Sequence, residues 1–310
     1  MEVYQILLIS ILGGLTFLFL AFSFISGQVF FKASFSRRKD DEHFAENENP
    51  EDKKTPNRIW YFSNKLEEIE MKSFDNLKLK AYFLNNNSHK LAILIHGYRG
   101  RYYSLVSQAR IFFDNGFDVL CINNRAHDTS EGKYFSMGPK ETKDVLGWIN
   151  LMIKRNPNYE IALFGVSMGG HIAMMAASQE NLPSNVKCIG EDCGYASLKE
   201  MLYEAAKANK VAFPRYVVWL GSLYARVFHH FNFNDSTENA FKNLKLPILL
   251  MHGEDDTYVP YSNLEKNASY VPEGIYKEVV TFKGANHNKS IFQFDKYQKI
   301  VNYFVNKFIK

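Results

Sequence analysis

A serine stands among glycines in Gly165-Val166-Ser167-Met168-Gly169-Gly170, directly after the apolar run Ile161-Ala162-Leu163-Phe164 and before the helix-like His171-Ile172-Ala173-Met174-Met175-Ala176-Ala177. Strand, tight turn and helix in that order would hold Ser167 on a strained backbone, with small neighbours where strand and helix pass close together and Oγ exposed at a helix N-terminus. A lone G-x-S-x-G arises by chance in many chains; the strand and helix flanking this one give it weight. A serine hydroxyl is a poor nucleophile until a neutral imidazole accepts its proton, and a carboxylate that fixes the imidazole completes the set. Acids crowd Gly253-Glu254-Asp255-Asp256-Thr257-Tyr258-Val259-Pro260 after the apolar run 246–251, and a histidine stands in Gly284-Ala285-Asn286-His287-Asn288-Lys289-Ser290. Asp192, in Glu191-Asp192-Cys193-Gly194-Tyr195, is a further candidate acid at a strand end.

These residues need elements that bring them together. Residues 66–74 and 77–84 alternate in character around Asp75-Asn76, the pattern of an antiparallel hairpin. Short apolar runs at 91–95, 117–122, 161–166, 186–189, 246–251 and 276–282 alternate with helix-like stretches, which predicts an α/β fold whose mostly parallel sheet is covered on both faces. Ligands in such sheets bind beyond the carboxyl ends of the strands, and each motif above falls at such an end.

With serine, acid and histidine in that chain order, the sequence from about Ile59 to the C-terminus resembles the α/β-hydrolase superfamily. It is most similar to bacterial membrane-anchored serine hydrolases related to the serine aminopeptidases and the α/β-hydrolase-domain depalmitoylases. The family's G-x-x-D-x-x-V-P pattern implies Asp256 as the acid, with Asp255 a neighbour and Asp192 structural, and its histidine loop implies His287. The resemblance also implies an oxyanion hole from the backbone amides of Tyr98, in Ile95-His96-Gly97-Tyr98-Arg99-Gly100, and of Met168; His96 would then be structural. Asn123-Asn124-Arg125-Ala126-His127-Asp128-Thr129-Ser130-Glu131-Gly132 is similar to the family's D-x-R-G-H-G-x-S-x-G loop, with departures at Asn123, Ala126 and Asp128. The same likeness makes Arg125 and His127 braces of the site.

Between 197 and about 243 the strand pattern gives way to an aromatic-rich stretch, read as a helical cap insertion. Aromatics at helical spacing are mostly packing. Phe213 and Trp219 are nevertheless the substrate-binding candidates there, because a cap offers apolar surface suited to an acyl chain.

Residues 3–31 carry no charge, and 6–25 are nearly all Leu, Ile, Phe, Gly and Ala, long enough to cross ~30 Å of hydrocarbon as a helix. The stretch lacks the basic start, short apolar core and A-x-A site of a cleaved signal peptide. We therefore expect a single transmembrane anchor at 1–31, a polar linker at 32–58 and the hydrolase domain at 59–310. Lys32, Arg37, Arg38 and Lys39 follow the span and only Glu2 precedes it, which by the positive-inside rule puts the domain in the cytoplasm, an extracellular domain being the alternative.

An apolar fraction of 46% and a net charge of +4 spread over 310 residues indicate an ordinary globular protein without a nucleic-acid footprint. Three cysteines cannot all pair, and Cys188 and Cys193 on one extended segment would be ~16 Å apart. No Cys/His spacing of a zinc site occurs, so neither metal nor cofactor is implied. The expected function is hydrolysis of carboxylic esters or thioesters of short to medium lipophilic acyl groups through an acyl-enzyme. The alternatives are a serine peptidase, for which Arg99 and Arg101 would be the hint, and a silent membrane-bound binding module.

Overall fold

The structure is a computed structural model that describes residues 3–37 and 56–310; the middle of the expected polar linker lies outside the described residues. Two compact units divide the chain, Met1–Ser36 with Lys199–Phe233 and Arg37–Leu198 with Asn234–Lys310.

The larger unit is built on an eight-stranded sheet of order β1-β2-β4-β3-β5-β6-β7-β8. Its strands are β1 (Glu67–Lys72), β2 (Lys78–Leu84), β3 (Lys90–Ile95), β4 (Asp118–Ile122), β5 (Glu160–Val166), β6 (Val186–Asp192), β7 (Ile248–Gly253) and β8 (Lys277–Phe282). The expected hairpin is β1–β2, closed by Asn76 at positive φ, and β2 is antiparallel to β4; every other pairing is parallel. The central strands are apolar throughout because helices cover both faces. On one face, α2 (Pro56–Ser63), α3 (Val106–Asp114) and α10 (Phe294–Phe308) contribute Tyr61, Phe112 and Phe304 to one cluster with Leu94, Phe164 and Leu249. Leu91, Ile93 and Leu163 point the other way by the two-residue alternation of a strand and are equally buried, on the side of α4 (Glu141–Arg155) and α5 (Met168–Ala177), which pack together.

Register places the functional loops side by side. Ile95 pairs with Gly165, Val166 with Asp192, Asp192 with Met251 and Gly253 with Phe282. The segments that follow β3, β5, β6, β7 and β8 therefore emerge at one edge of the sheet, among them those holding Tyr98, Ser167, Asp256 and His287.

The smaller unit contains α1 (Val3–Phe35), most of α6 (Leu198–Ala208) and α7 (Pro214–His229). The helix α1 runs past the expected boundary at residue 31, because Phe31 stacks on Phe35 and His229, and Phe35 meets Phe231 and Phe233. Close approach to α7 needs glycine: a Cβ on Gly27 would lie 2.8 Å from the Leu220 carbonyl oxygen, and one on Gly221 would lie 2.5 Å from the Phe30 ring. The expected cap at 197–243 thus contains two helices of this unit, while α8 (Thr237–Ala240), within the same stretch, belongs with β7 to the larger unit.

Arg125 ties hairpin to helix in the larger unit. Its buried guanidinium is bidentate to Asp144 of α4 (2.7 and 2.7 Å) and to Asp75 of the hairpin turn (2.8 and 3.0 Å). Removing one member of such a set strands a buried charge, at a cost of about 3–5 kcal/mol, whereas an exposed pair contributes roughly 0–1. Arg125→Met should therefore lower the urea midpoint of the full chain in detergent far more than Arg155→Met, which breaks the exposed pair with Glu67. Equal shifts would contradict this placement of Arg125.

Candidate active site

Ser167 occupies φ 57°, ψ −121°, a conformation that non-glycine residues rarely adopt. The neighbouring glycines are what make the turn feasible. A Cβ at Gly165 would lie 2.0 Å from the Gly169 carbonyl oxygen, and one at Gly169 would lie 1.9 Å from the Ile95 carbonyl oxygen. The strand–turn–helix expected from the sequence is therefore present, with β5 delivering Ser167 to the first residue of α5. The Ser167 amide donates to the Asp192 carbonyl (2.8 Å), which fixes the turn to β6.

Two loops are fastened together beside it. The Glu254 amide donates to the Phe282 carbonyl (3.0 Å), the Asp255 amide to the Ala285 carbonyl (3.0 Å), and the Thr257 amide to Asn286 Oδ1 (3.2 Å). Gly253 lets them meet, since a Cβ there would be 2.3 Å from the Ala285 oxygen. The result is a hydrogen-bonded chain: His287 Nδ1 lies 2.7 Å from Asp256 Oδ2, and His287 Nε2 lies 2.9 Å from Ser167 Oγ. A carboxylate can only accept, so Nδ1 carries the hydrogen and the Nε2 lone pair faces the serine hydroxyl. Asp256 is the acid that reaches His287, while Asp192 instead accepts from Ser290 Oγ (3.0 Å). Burial pushes the Asp192 carboxyl up to about 6.

Asp256 collects four donors. Oδ1 accepts the Tyr258 and Val259 amides (2.9 and 2.8 Å), and Oδ2 is shared between His287 and His252 Nε2, the latter at 3.2 Å. Burial opposes ionisation here, yet the hydrogen bonds from His252, His287 and the Val259 amide outweigh it and hold the carboxyl at about 2. His252 Nε2 also lies 2.9 Å from the Val259 carbonyl, so with two acceptors around it this nitrogen must carry the hydrogen. Burial works against charge on His252, but the Asp256 hydrogen bond and the nearby Glu191 raise its pKa. The buried Glu191 accepts the Gly194 amide at 2.6 Å. Sequence reasoning passed over His252; its one signal is a polar residue ending the otherwise apolar β7.

The loop after β3 lies against the serine: a Cβ on Gly97 would be 3.2 Å from Ser167 Cβ and 3.7 Å from Oγ. Tyr98 and Met168, the residues after Gly97 and Ser167, follow the ends of the paired strands β3 and β5. His96 is fully buried and its pKa is lowered to about 3, chiefly by burial. The neutral ring sits with Nδ1 2.8 Å from the Gly97 carbonyl while Nε2 accepts the Asn124 amide (3.1 Å). His127 does the same for the facing loop, Nδ1 toward the Arg125 carbonyl (2.8 Å) and Nε2 accepting the Arg99 amide (3.2 Å). Both histidines are braces. The departures at Ala126 and Asp128 fall at φ 59° and 41°, where the family's glycines would be free of strain.

Among the described residues, Cys193 Sγ, Asp256 and His287 bring potential ligand atoms within 4.8 Å of one another. Asp256 and His287 already bond each other through the atoms a metal would need, and burial raises the Cys193 thiol well above the usual range. The set fits proton transfer better than a metal. Phe213 and Trp219 are 80% and 54% exposed in the smaller unit.

A mostly parallel eight-stranded sheet with a serine on the turn after β5, a carboxylate after β7 and a histidine after β8 is the architecture of an α/β hydrolase, and the chain has this fold. Residues 91–230 match the model of the family described as "alpha/beta hydrolase fold". A Bacillus subtilis protein described as uncharacterized protein YqkD is 25% identical over 177 residues, 56% of this chain and 57% of that protein, so the match spans little more than half of that relative. Among solved structures, the Pyrococcus furiosus esterase Pf2001 is similar with a TM-score of 0.66 and 22% identity, covering 81% of this chain and 94% of the esterase. Est1E from Butyrivibrio proteoclasticus, solved with ferulic acid, has a TM-score of 0.61 and 21% identity over 78% of this chain and 99% of its own.

The two histidines on Asp256 generate a test. His252→Leu withdraws one donor from a buried carboxylate, so it should destabilise the chain by about 1–3 kcal/mol at neutral pH, and His252→Gln by less. A carboxyl whose folded pKa lies below its unfolded value of about 3.9 contributes fully above that value and loses the contribution as pH falls through the folded value. The gap between wild type and His252→Leu should therefore narrow from about pH 4 toward about 2. Urea midpoints across that range check it; a gap independent of pH would mean that His252 does not act on Asp256.

Proposed function

We propose that this chain is a membrane-anchored serine hydrolase that cleaves carboxylic esters or thioesters of short to medium, lipophilic acyl groups. The observation that supports this reading is the chain Asp256–His287–Ser167, with hydrogen bonds of 2.7 and 2.9 Å ending on a hydroxyl held at a strained turn. In the proposed reaction Ser167 Oγ attacks the acyl carbonyl as His287 Nε2 takes its proton, and Asp256 stabilises the imidazolium that forms. The amides of Tyr98 and Met168 hold the oxyanion, each a donor commonly contributing ~3 kcal/mol to the transition state. Collapse of the tetrahedral adduct breaks the bond to the leaving alcohol or thiol, which receives the proton from His287. Water, activated by the same imidazole, then releases the acid and restores the serine. No step requires a cofactor.

The similarity in fold to the Pyrococcus furiosus esterase and to Est1E makes esters the substrates of the first assays, with peptides as the comparison. The apolar helix α1, 33 residues long and with mean hydropathy 2.4 in its most apolar window, supports the anchor, and the basic residues beyond it favour a cytoplasmic hydrolase unit. Protease added to intact cells should leave the domain uncut; cleavage would reverse the orientation.

Ser167→Ala should abolish turnover of p-nitrophenyl esters while the protein stays folded, since it removes the attacking oxygen and little volume. Asp256→Asn should lower kcat by about 10⁴, and Asp192→Asn and Asp255→Asn far less. A larger loss in Asp192→Asn would reassign the acid.

Each methylene buried by an acyl chain can gain up to ~0.8 kcal/mol, so kcat/KM should rise beyond acetate and peak at a short to medium chain. Acetate as the best substrate, or efficient aminopeptidase turnover, would reject the lipophilic-acyl assignment and leave the serine mechanism in place.

A further inference from the structure

The smaller unit presents an apolar surface that extends beyond α1. Every residue of α1 from Val3 to Leu20 is exposed, and from Ser23 onward the helix packs along α7. Ser23 Oγ bonds the Tyr216 hydroxyl (3.0 Å), Gln28 donates to the Tyr224 hydroxyl (3.1 Å), and Phe31 stacks on His229. Contacts that advance together along both sequences mean that the two helices run in the same direction, with the start of α7 level with Ser23.

A bilayer core of ~30 Å takes about 20 residues of helix. If the uncharged stretch from Val3 fills it, the boundary between hydrocarbon and headgroups falls close to Phe22 and Ser23. At that level Phe213 immediately precedes α7 and Tyr216 and Trp219 lie in its first turns, where Tyr216 stacks on Trp219. Tyr216, Trp219, Leu223 and Val227 follow helical spacing, form one stripe and are exposed, while Val218, Gly221 and Ala225 face inward. Aromatic residues with a polar edge concentrate at this boundary in membrane proteins. The segment from Lys199 to Phe233 carries five basic residues, Lys199, Lys207, Lys210, Arg215 and Arg226, all of them exposed, against two acidic ones.

We propose that the first turns of α7 are a second membrane contact, set in the interfacial layer beside the span with Phe213, Tyr216 and Trp219 against lipid, while a helix running in the same direction as the span carries Leu223 and Val227 away from the bilayer. The partner is the anionic phospholipid surface that the surrounding basic residues complement. The inference rests on the proposed anchoring by α1. It gives Phe213 and Trp219 a lipid face in place of a pocket wall, and their exposure suits that role.

The full chain in vesicles of phosphatidylcholine and phosphatidylglycerol provides the test. The native cysteines are buried, so nitroxide labels can be directed to Phe213→Cys and Trp219→Cys, with Leu15→Cys in the span and Lys299→Cys on an exposed position of α10 as references. The labels at 213 and 219 should collide with oxygen more than with a water-soluble nickel chelate, as the Leu15 label does, and the Lys299 label should do the reverse. Nickel access at α7 together with a lipid-buried Leu15 label would overturn the inference and leave the anchor standing. Nickel access at Leu15 would overturn the anchor itself. Labels shielded from both reagents, with broadening between spins, would mean that a second copy of the chain covers the stripe, and would also overturn it. In unlabelled protein, brominated acyl chains should quench tryptophan emission less in Trp219→Phe than in wild type; equal quenching would count against the lipid contact.

Discussion

The turn at Ser167 is the constraint on which the site depends. Its backbone is held in a conformation that costs roughly 1–3 kcal/mol, and it persists only because the surroundings leave it no alternative. Gly165 and Gly169 let β5, α5 and the end of β3 approach within distances that any side chain would forbid, and the Asp192 carbonyl fixes the serine amide. The buried sheet on either side supplies the rigidity. Apolar strands covered on both faces cannot shift register without moving their neighbours, so the loops leaving their carboxyl ends stay aligned.

Charge at the site is arranged around a single carboxylate. Asp256 is removed from water, and it stays ionised because two amides and two imidazoles point hydrogens at it. The other buried acids nearby are treated differently. Glu191 accepts one amide and Asp192 one hydroxyl, and burial raises both. Three acids of similar chemistry thus differ in ionisation according to the number of donors each meets. The histidines divide the same way. His96 and His171 have their pKa values lowered by burial and bond backbone carbonyls, while His287 joins a carboxylate to a serine.

Much of this was legible in the sequence because it is local. The apolar runs became β3 to β8, the G-x-S-x-G turn lies where strand meets helix, and the acid and histidine loops were read in the register that the contacts adopt. What escaped depends on contacts between distant segments. His252 lies just past the apolar run 246–251 with no local pattern to mark its role, and its approach to Asp256 requires the loop to fold back through Val259. The extension of α1 to Phe35 and its packing on α7 pair residues nearly two hundred positions apart, through glycines whose purpose no local pattern reveals. At Ala126 and Asp128 the departures from the family pattern were visible, but the positive φ that they must tolerate was not.

The account stands on Ser167 being activated by His287, and covalent capture tests that most directly. The full chain, incubated with an alkyl fluorophosphonate and digested, should yield one phosphonylated peptide, with the adduct mapped by mass spectrometry to Ser167. The adduct should be lost from His287→Ala, in which the serine remains but its proton acceptor does not. An adduct on another residue, or undiminished labelling of Ser167 without His287, would contradict the account.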